Sequence, residues 1–149
     1  MISLKQLIES GCFGPVKLGM TREEVKGSLG APDDVGGTSR KSQKPSIWKY
    51  GDIELHFVHG ANSLFLIHLD DFDVPSGGKS IDLDPWVIRG TLSLSEAEQH
   101  LSRCGIEYMM DKYEFKHIGK CLTAGVGVSF IFSEENLLLR AVSYRNTAS

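Results

Sequence analysis

A helix start occurs twice in this chain, and the repetition narrows what the chain can fold into. Residues 20–25 read Met-Thr-Arg-Glu-Glu-Val, and residues 92–97, 72 positions later, read Leu-Ser-Leu-Ser-Glu-Ala. In each, a hydroxyl side chain (Thr21, Ser93) can accept from the free amides of a first helical turn. A glutamate three residues on (Glu24, Glu96) can return the bond to the cap's own amide. Apolar residues flank the cap on both sides, Met20 with Val25 and Leu92 with Ala97, and can clasp the incoming chain. A cap at Ser95 with Glu98 would misalign these apolar positions.

A second feature repeats at nearly the same interval. Leu55-His56-Phe57 followed by Leu64-Phe65-Leu66 matches Val128-Ser129-Phe130 followed by Leu137-Leu138-Leu139, at an offset of 73. Two features at nearly one offset imply a tandem duplication. The expected fold is α+β: residues 1–75 and 76–149 each form a helix-plus-meander unit, the two packed as one compact body.

The first unit reads clearly. Ser3 can cap a helix carrying Leu4, Leu7 and Ile8 at helical spacing, ended by the Gly11 to Pro15 run. A second helix spans 22–29, with Gly30 and Pro32 stopping it. Residues 31–45, rich in Gly, Ser, Lys and Pro, read as a loop. Ile47–Tyr50 reads as a strand. Residues 52–59 alternate, with Ile53, Leu55 and Phe57 on one side and Glu54, His56 and Val58 on the other. Gly60-Ala61-Asn62 is a turn, and 63–69 returns as a hairpin. Residues 70–86 hold five Asp, two Pro and two Gly, and read as a connector. In the second unit a helix ends at Gly105, strands are expected near 106–110 and 113–118, and a final hairpin follows.

The segment 14–32 reads G-x-V-x-L-G-M-T-x-x-E-V-x-x-x-L-G-x-P. It resembles the start of domains in the SmpA/OmlA outer-membrane assembly lipoproteins. It also resembles the β-lactamase inhibitor protein family, whose members are tandem repeats of a helix-plus-sheet unit. The resemblance implies a saddle-shaped sheet with helices on one face and the other face free to bind protein.

Composition excludes several classes of function. A net charge of −3 and no Lys/Arg run interleaved with aromatics argue against nucleic acid. No 18-residue apolar run exists to span a membrane. The first residues are too polar for a secretory core, and three cysteines without metal spacing suit free thiols in a reducing compartment, so a cytoplasmic location is expected. Cys104 shares the apolar stripe of Ala97 and Leu101, so core packing is expected of it.

Chemical motifs are sparse. Ser76-Gly77-Gly78-Lys79-Ser80 resembles the tail of a phosphate loop, but the earlier glycine and the following helix are missing, so a turn is expected. His56 and His59 have opposite strand parity. His56 and His68 can be cross-strand neighbours, with no third ligand evident. His100 and His117 carry no pattern. No nucleophile elbow or Cys-His signature is present. The reading therefore assigns no catalytic, cofactor or metal residues.

What remains points to a protein-binding surface. Trp48, Tyr50 and Trp86 are aromatics of the kind that anchor interfaces, and Trp48 and Tyr50 share strand parity. Asp70, Asp71, Asp73, Asp82 and Asp84 could steer a basic partner. The expected function is non-enzymatic binding of another protein, in the manner of an inhibitor or an immunity protein acting on a toxin. Two alternatives stay open: a small-molecule binder or enzyme using a pocket between sheet and helices, and a structural or assembly protein associating through a sheet edge.

Overall fold

The structure is a computed structural model and describes residues 1–38, 44–111 and 119–146. The expected strand at 113–118 and His117 lie outside the described residues.

Among the described residues, local signals set three helices. Helix α1 (Leu4–Ser10) starts at Ser3, whose side chain accepts from the Gln6 amide, and ends at Gly11 in the left-handed region. Helix α2 (Arg22–Leu29) carries a complete capping box between Thr21 and Glu24. Helix α3 (Leu94–Arg103) carries the same box between Ser93 and Glu96. These short helices bury narrow apolar stripes (Leu4, Leu7 and Ile8; Val25 and Leu29; Ala97 and Leu101). Helices of this length need such packing to persist.

The strands are β1 (Ile2–Ser3), β2 (Asp34–Gly36), β3 (Ile47–Tyr50), β4 (Ile53–Phe57), β5 (Leu64–Asp70), β6 (Leu83–Asp84), β7 (Tyr108–Met110), β8 (Lys120–Ala124), β9 (Val128–Phe132) and β10 (Leu139–Arg145). β1 and β6 form a small parallel pair. The other eight form one antiparallel sheet in the order β2-β3-β4-β5-β10-β9-β8-β7. The fold is α+β. Alternation along β4 and β9 buries Ile53, Leu55, Phe57, Val128, Phe130 and Phe132, which join the helix stripes in one core cluster. That cluster runs from Leu4 to Val142 and so draws on both halves of the chain.

The two helix starts are tied to the sheet in the same way. The Leu64 amide donates to the Met20 carbonyl, and the Leu139 amide donates to the Leu92 carbonyl, each at 2.8 Å. Arg22 locks α2 onto the first hairpin. Its guanidinium donates to the Pro45 carbonyl at 3.1 Å and to Asn62 Oδ1 at 3.0 Å, and lies 4.6 Å over the Phe57 ring. Asn62 also donates to Glu23 at 2.6 Å, which holds that carboxyl below its ordinary range.

Three sequence expectations are corrected. Part of the 31–45 loop is strand: Asp34–Gly36 pairs antiparallel with β3, Asp34 opposite Lys49 and Gly36 opposite Ile47. Cys104 is exposed, not core. The helix ends one residue earlier, Cys104 caps it, and Ile106 takes the inward place, its amide bonding back to the Leu101 carbonyl. The ladders of the two hairpins are spaced by 75 positions, not by the 73 of the sequence match: Leu55 pairs with Ile67, and Phe130 pairs with Val142.

The 76–80 segment is a docking turn. Asp52 and Ser76 exchange two 2.8 Å bonds, one from each backbone amide. Gly51 (φ +59°) lies so close that an added Cβ would sit 2.4 Å from the Gly78 nitrogen. Backbone rests on backbone here, which explains the glycines without a phosphate.

Candidate functional site

The side of the sheet away from the helices carries an ordered pattern. Cross-strand register places Asp34, Lys49, Glu54, His68, Ser143, Ser129, Thr123 and Met109 in one row that crosses all eight strands. Neighbours in such a row stand close enough for their side chains to interact. Ile47, His56, Leu66 and Arg145 flank the row on one side. Asp70, Ala141, Ile131 and Cys121 flank it on the other.

The centre of the row is a hydrogen-bonded cluster. His68 Nδ1 lies 2.5 Å from Ser143 Oγ, and its Nε2 lies 3.2 Å from Asp70 Oδ2. His56 Nε2 lies 3.0 Å from Glu54 Oε1, and the two imidazole centroids are 6.4 Å apart. The histidines are diagonal neighbours, since His56 faces Leu66 and His68 faces Glu54. A bulge between His56 and Phe57 lets both Phe65 and Leu66 avoid the core. Phe65 then meets His56 at 6.3 Å and carries the Arg145 guanidinium 5.9 Å above its ring.

Ser143, His68 and Asp70 are the residue types of a hydrolytic triad. That chemistry needs donors aimed at an oxyanion and a recess for the acyl group. Ser143 instead sits mid-ladder between His68 and Ser129 on an open face. A cavity of about 620 Å³ lies beside Ser133 to Asn136, and one of about 520 Å³ lies at the β7 end of the row, where Met109 and Thr123 line it. Among the described residues no three His, Cys, Asp or Glu side chains converge as metal ligands. The cluster consists of half-buried polar groups held in place by one another, with apolar neighbours on both flanks.

The residues singled out from sequence fall mostly elsewhere. Trp48 and Tyr50 do share a face, but it is the helix side: they pair with Leu55 and Ile53, which are core. Tyr50 is fully buried, so it is no partner contact. Its hydroxyl donates to the Gly30 carbonyl at 2.7 Å, and its pKa is pushed up to about 12 by burial and then by Asp33. Trp48 meets Phe57 edge-on at 5.1 Å, half-buried against the core. Trp86 is also half-buried on the core, 6.3 Å from the His100 ring of α3. Of the five aspartates only Asp70 joins the helix-free face. Asp71 and Asp73 are exposed just beyond β5; Asp82 is exposed beside β6, and Asp84 lies within β6 and accepts from the Trp86 amide.

His68 with Ser143 was missed from sequence because their bond spans 75 residues and depends on which strands meet in the middle of the sheet. The one available signal was parity: Glu54 and His56 occupy the polar side of a strand whose other side is entirely apolar.

Among the described residues no helix is long and apolar enough to cross a membrane. No protein family, curated protein or solved structure matches the chain.

Proposed function

We propose that this chain is a non-enzymatic protein-binding module that presents the helix-free face of its sheet to a partner protein. The observation that carries the reading is the polar row centred on His68, Ser143 and Glu54, flanked by Leu66, Phe65 and Ile131. A face of this kind offers fixed hydrogen-bonding groups beside apolar contact area, the combination found at interface centres.

The reading includes a tandem duplication shaped as a saddle, resembling the β-lactamase inhibitor proteins and the SmpA/OmlA domains. The matching capping boxes, the matching ties from Met20 to Leu64 and from Leu92 to Leu139, and the 75-residue register between hairpins support it. An inhibitor or immunity-type role in the cytoplasm, on a basic protein such as a toxin, is the concrete form.

A photo-crosslinking residue placed at Leu66 tests this in native lysate. It is expected to capture one discrete partner that the same residue at exposed Glu9 on α1 does not. Equal, diffuse labelling from both positions would refute the use of this face.

A further inference from the structure

We infer that β7 is a docking edge, to which the partner protein adds an extended basic segment as a further strand. The inference rests on the protein-binding reading above and says where the partner's chain meets the sheet.

Among the described residues β7 ends the order of the large sheet. The Gly125 amide donates to the Glu107 carbonyl at 2.8 Å, and the Asp111 amide donates to the Cys121 carbonyl at 3.0 Å. Residues bonded to β8 therefore alternate with residues that face away. Tyr108 and Met110 turn their N–H and C=O groups outward, where no described strand pairs with them. A row of such groups is a template for strand addition.

The two edges of the sheet differ. At β2 the Val35 amide is taken by Asp34 Oδ1 at 2.9 Å, and Gly36 and Gly37 follow. β7 has no glycine, proline or lysine to blunt it, and shows Met109 at 67% and Met110 at 36% exposure. A cavity of about 520 Å³ opens beside it, lined by Ile106, Glu107, Tyr108, Met109, Thr123 and Gly125, with room for an incoming side chain.

Charge selects the occupant. Glu107, Met109 and Asp111 alternate on one side of the strand. A second copy of β7, paired antiparallel with Tyr108 opposite Met110, would set Glu107 against Asp111 at both ends. Like charges directly opposed destabilise a pair of strands. A segment with Lys or Arg at i and i+4 and an apolar residue at i+2 meets the same three positions favourably.

The probe is the capped peptide Gly-Lys-Thr-Val-Thr-Lys-Gly, followed by calorimetry and by the amide resonances of Tyr108 and Met110. It is expected to bind and to shift those two amides. Replacing both lysines with glutamate should weaken binding about tenfold or more, and E107K in the protein should recover part of the loss, since Asp111 still opposes the second glutamate. N-methylating both threonines should abolish binding, while N-methylating the valine should leave it within about threefold, because alternate amides face the sheet. Equal binding of the lysine and glutamate peptides, survival of the threonine-methylated peptide, or no binding to the folded protein would each overturn the docking edge. So would a dimer in sedimentation that M110P dissolves, since that would make a second copy the occupant. If crosslinking from Leu66 captures a partner while the peptide leaves β7 untouched, the edge fails and the binding face stands. If neither responds, both fail.

Discussion

Substituting Gly51 with alanine tests how the two glycine turns are held together. Gly51 sits at φ +59°, and the new Cβ would lie 2.4 Å from the Gly78 nitrogen and 2.5 Å from the Ser76 carbonyl oxygen. The left-handed conformation alone costs a non-glycine residue about 1–2 kcal/mol. Both neighbours are backbone, so the 76–80 turn must lift away. Lifting it breaks the two 2.8 Å bonds between Asp52 and Ser76, each worth about 1 kcal/mol net. The expected loss is about 3–4 kcal/mol. Gly60 supplies the control: it has φ +75° with nothing within 4 Å of an added Cβ, so G60A should show only the conformational cost, about 1–2 kcal/mol. Urea unfolding of both variants, with the slope of each transition checked against wild type, separates the two terms. Equal destabilisation by G51A and G60A, within about 0.5 kcal/mol, would refute the docked-turn account.

T21A and S93A should each lower stability by about 1 kcal/mol, and the double variant should be additive because the caps sit on separate helices; thermal or urea unfolding reads this. The Glu96 carboxyl is held below its ordinary range, chiefly by the bond from the Ser93 amide. A depressed folded-state pKa stabilises above the unfolded value and is lost as pH falls through the folded one. Wild type should therefore exceed E96Q in stability at neutral pH, with the two curves converging in acid. Cys121 is buried, and its thiol is pushed up to about 12 by burial and then by Asp111, whereas Cys104 is exposed. A thiol-reactive dye at pH 8 should label Cys104 rapidly and Cys121 only after unfolding; equal rates in the folded protein would contradict the fold around β8.

What the sequence made legible was local. Thr21 with Glu24 and Ser93 with Glu96 are three residues apart, so the caps and helix starts could be read directly. The alternation of Ile53, Leu55 and Phe57 gave the buried side of β4 for the same reason. The apolar pattern of the two hairpins matches at 73, and a period-2 pattern matches itself equally after a slip of two. Parity is preserved by such a slip, and only the hydrogen-bond ladder distinguishes 73 from 75. Parity puts Trp48 and Tyr50 on one face but does not say which face the helices cover, and the ladder places both on the core side. The His68–Ser143 bond depended on the central pairing of β5 with β10, which no local pattern announces.

That central pairing also bears on how the protein is made. β5 meets its partner strand, β10, only in the last ten described residues, and the carbonyl of Ile8 in α1 accepts from Val126. During synthesis the first half therefore emerges with β5 as a bare edge and with its first helix lacking the surface it will rest on. Edges of that kind pair with whatever strand arrives first. The exposed edge of β5 is closed only when β10, from the C-terminal part of the described chain, lies against it.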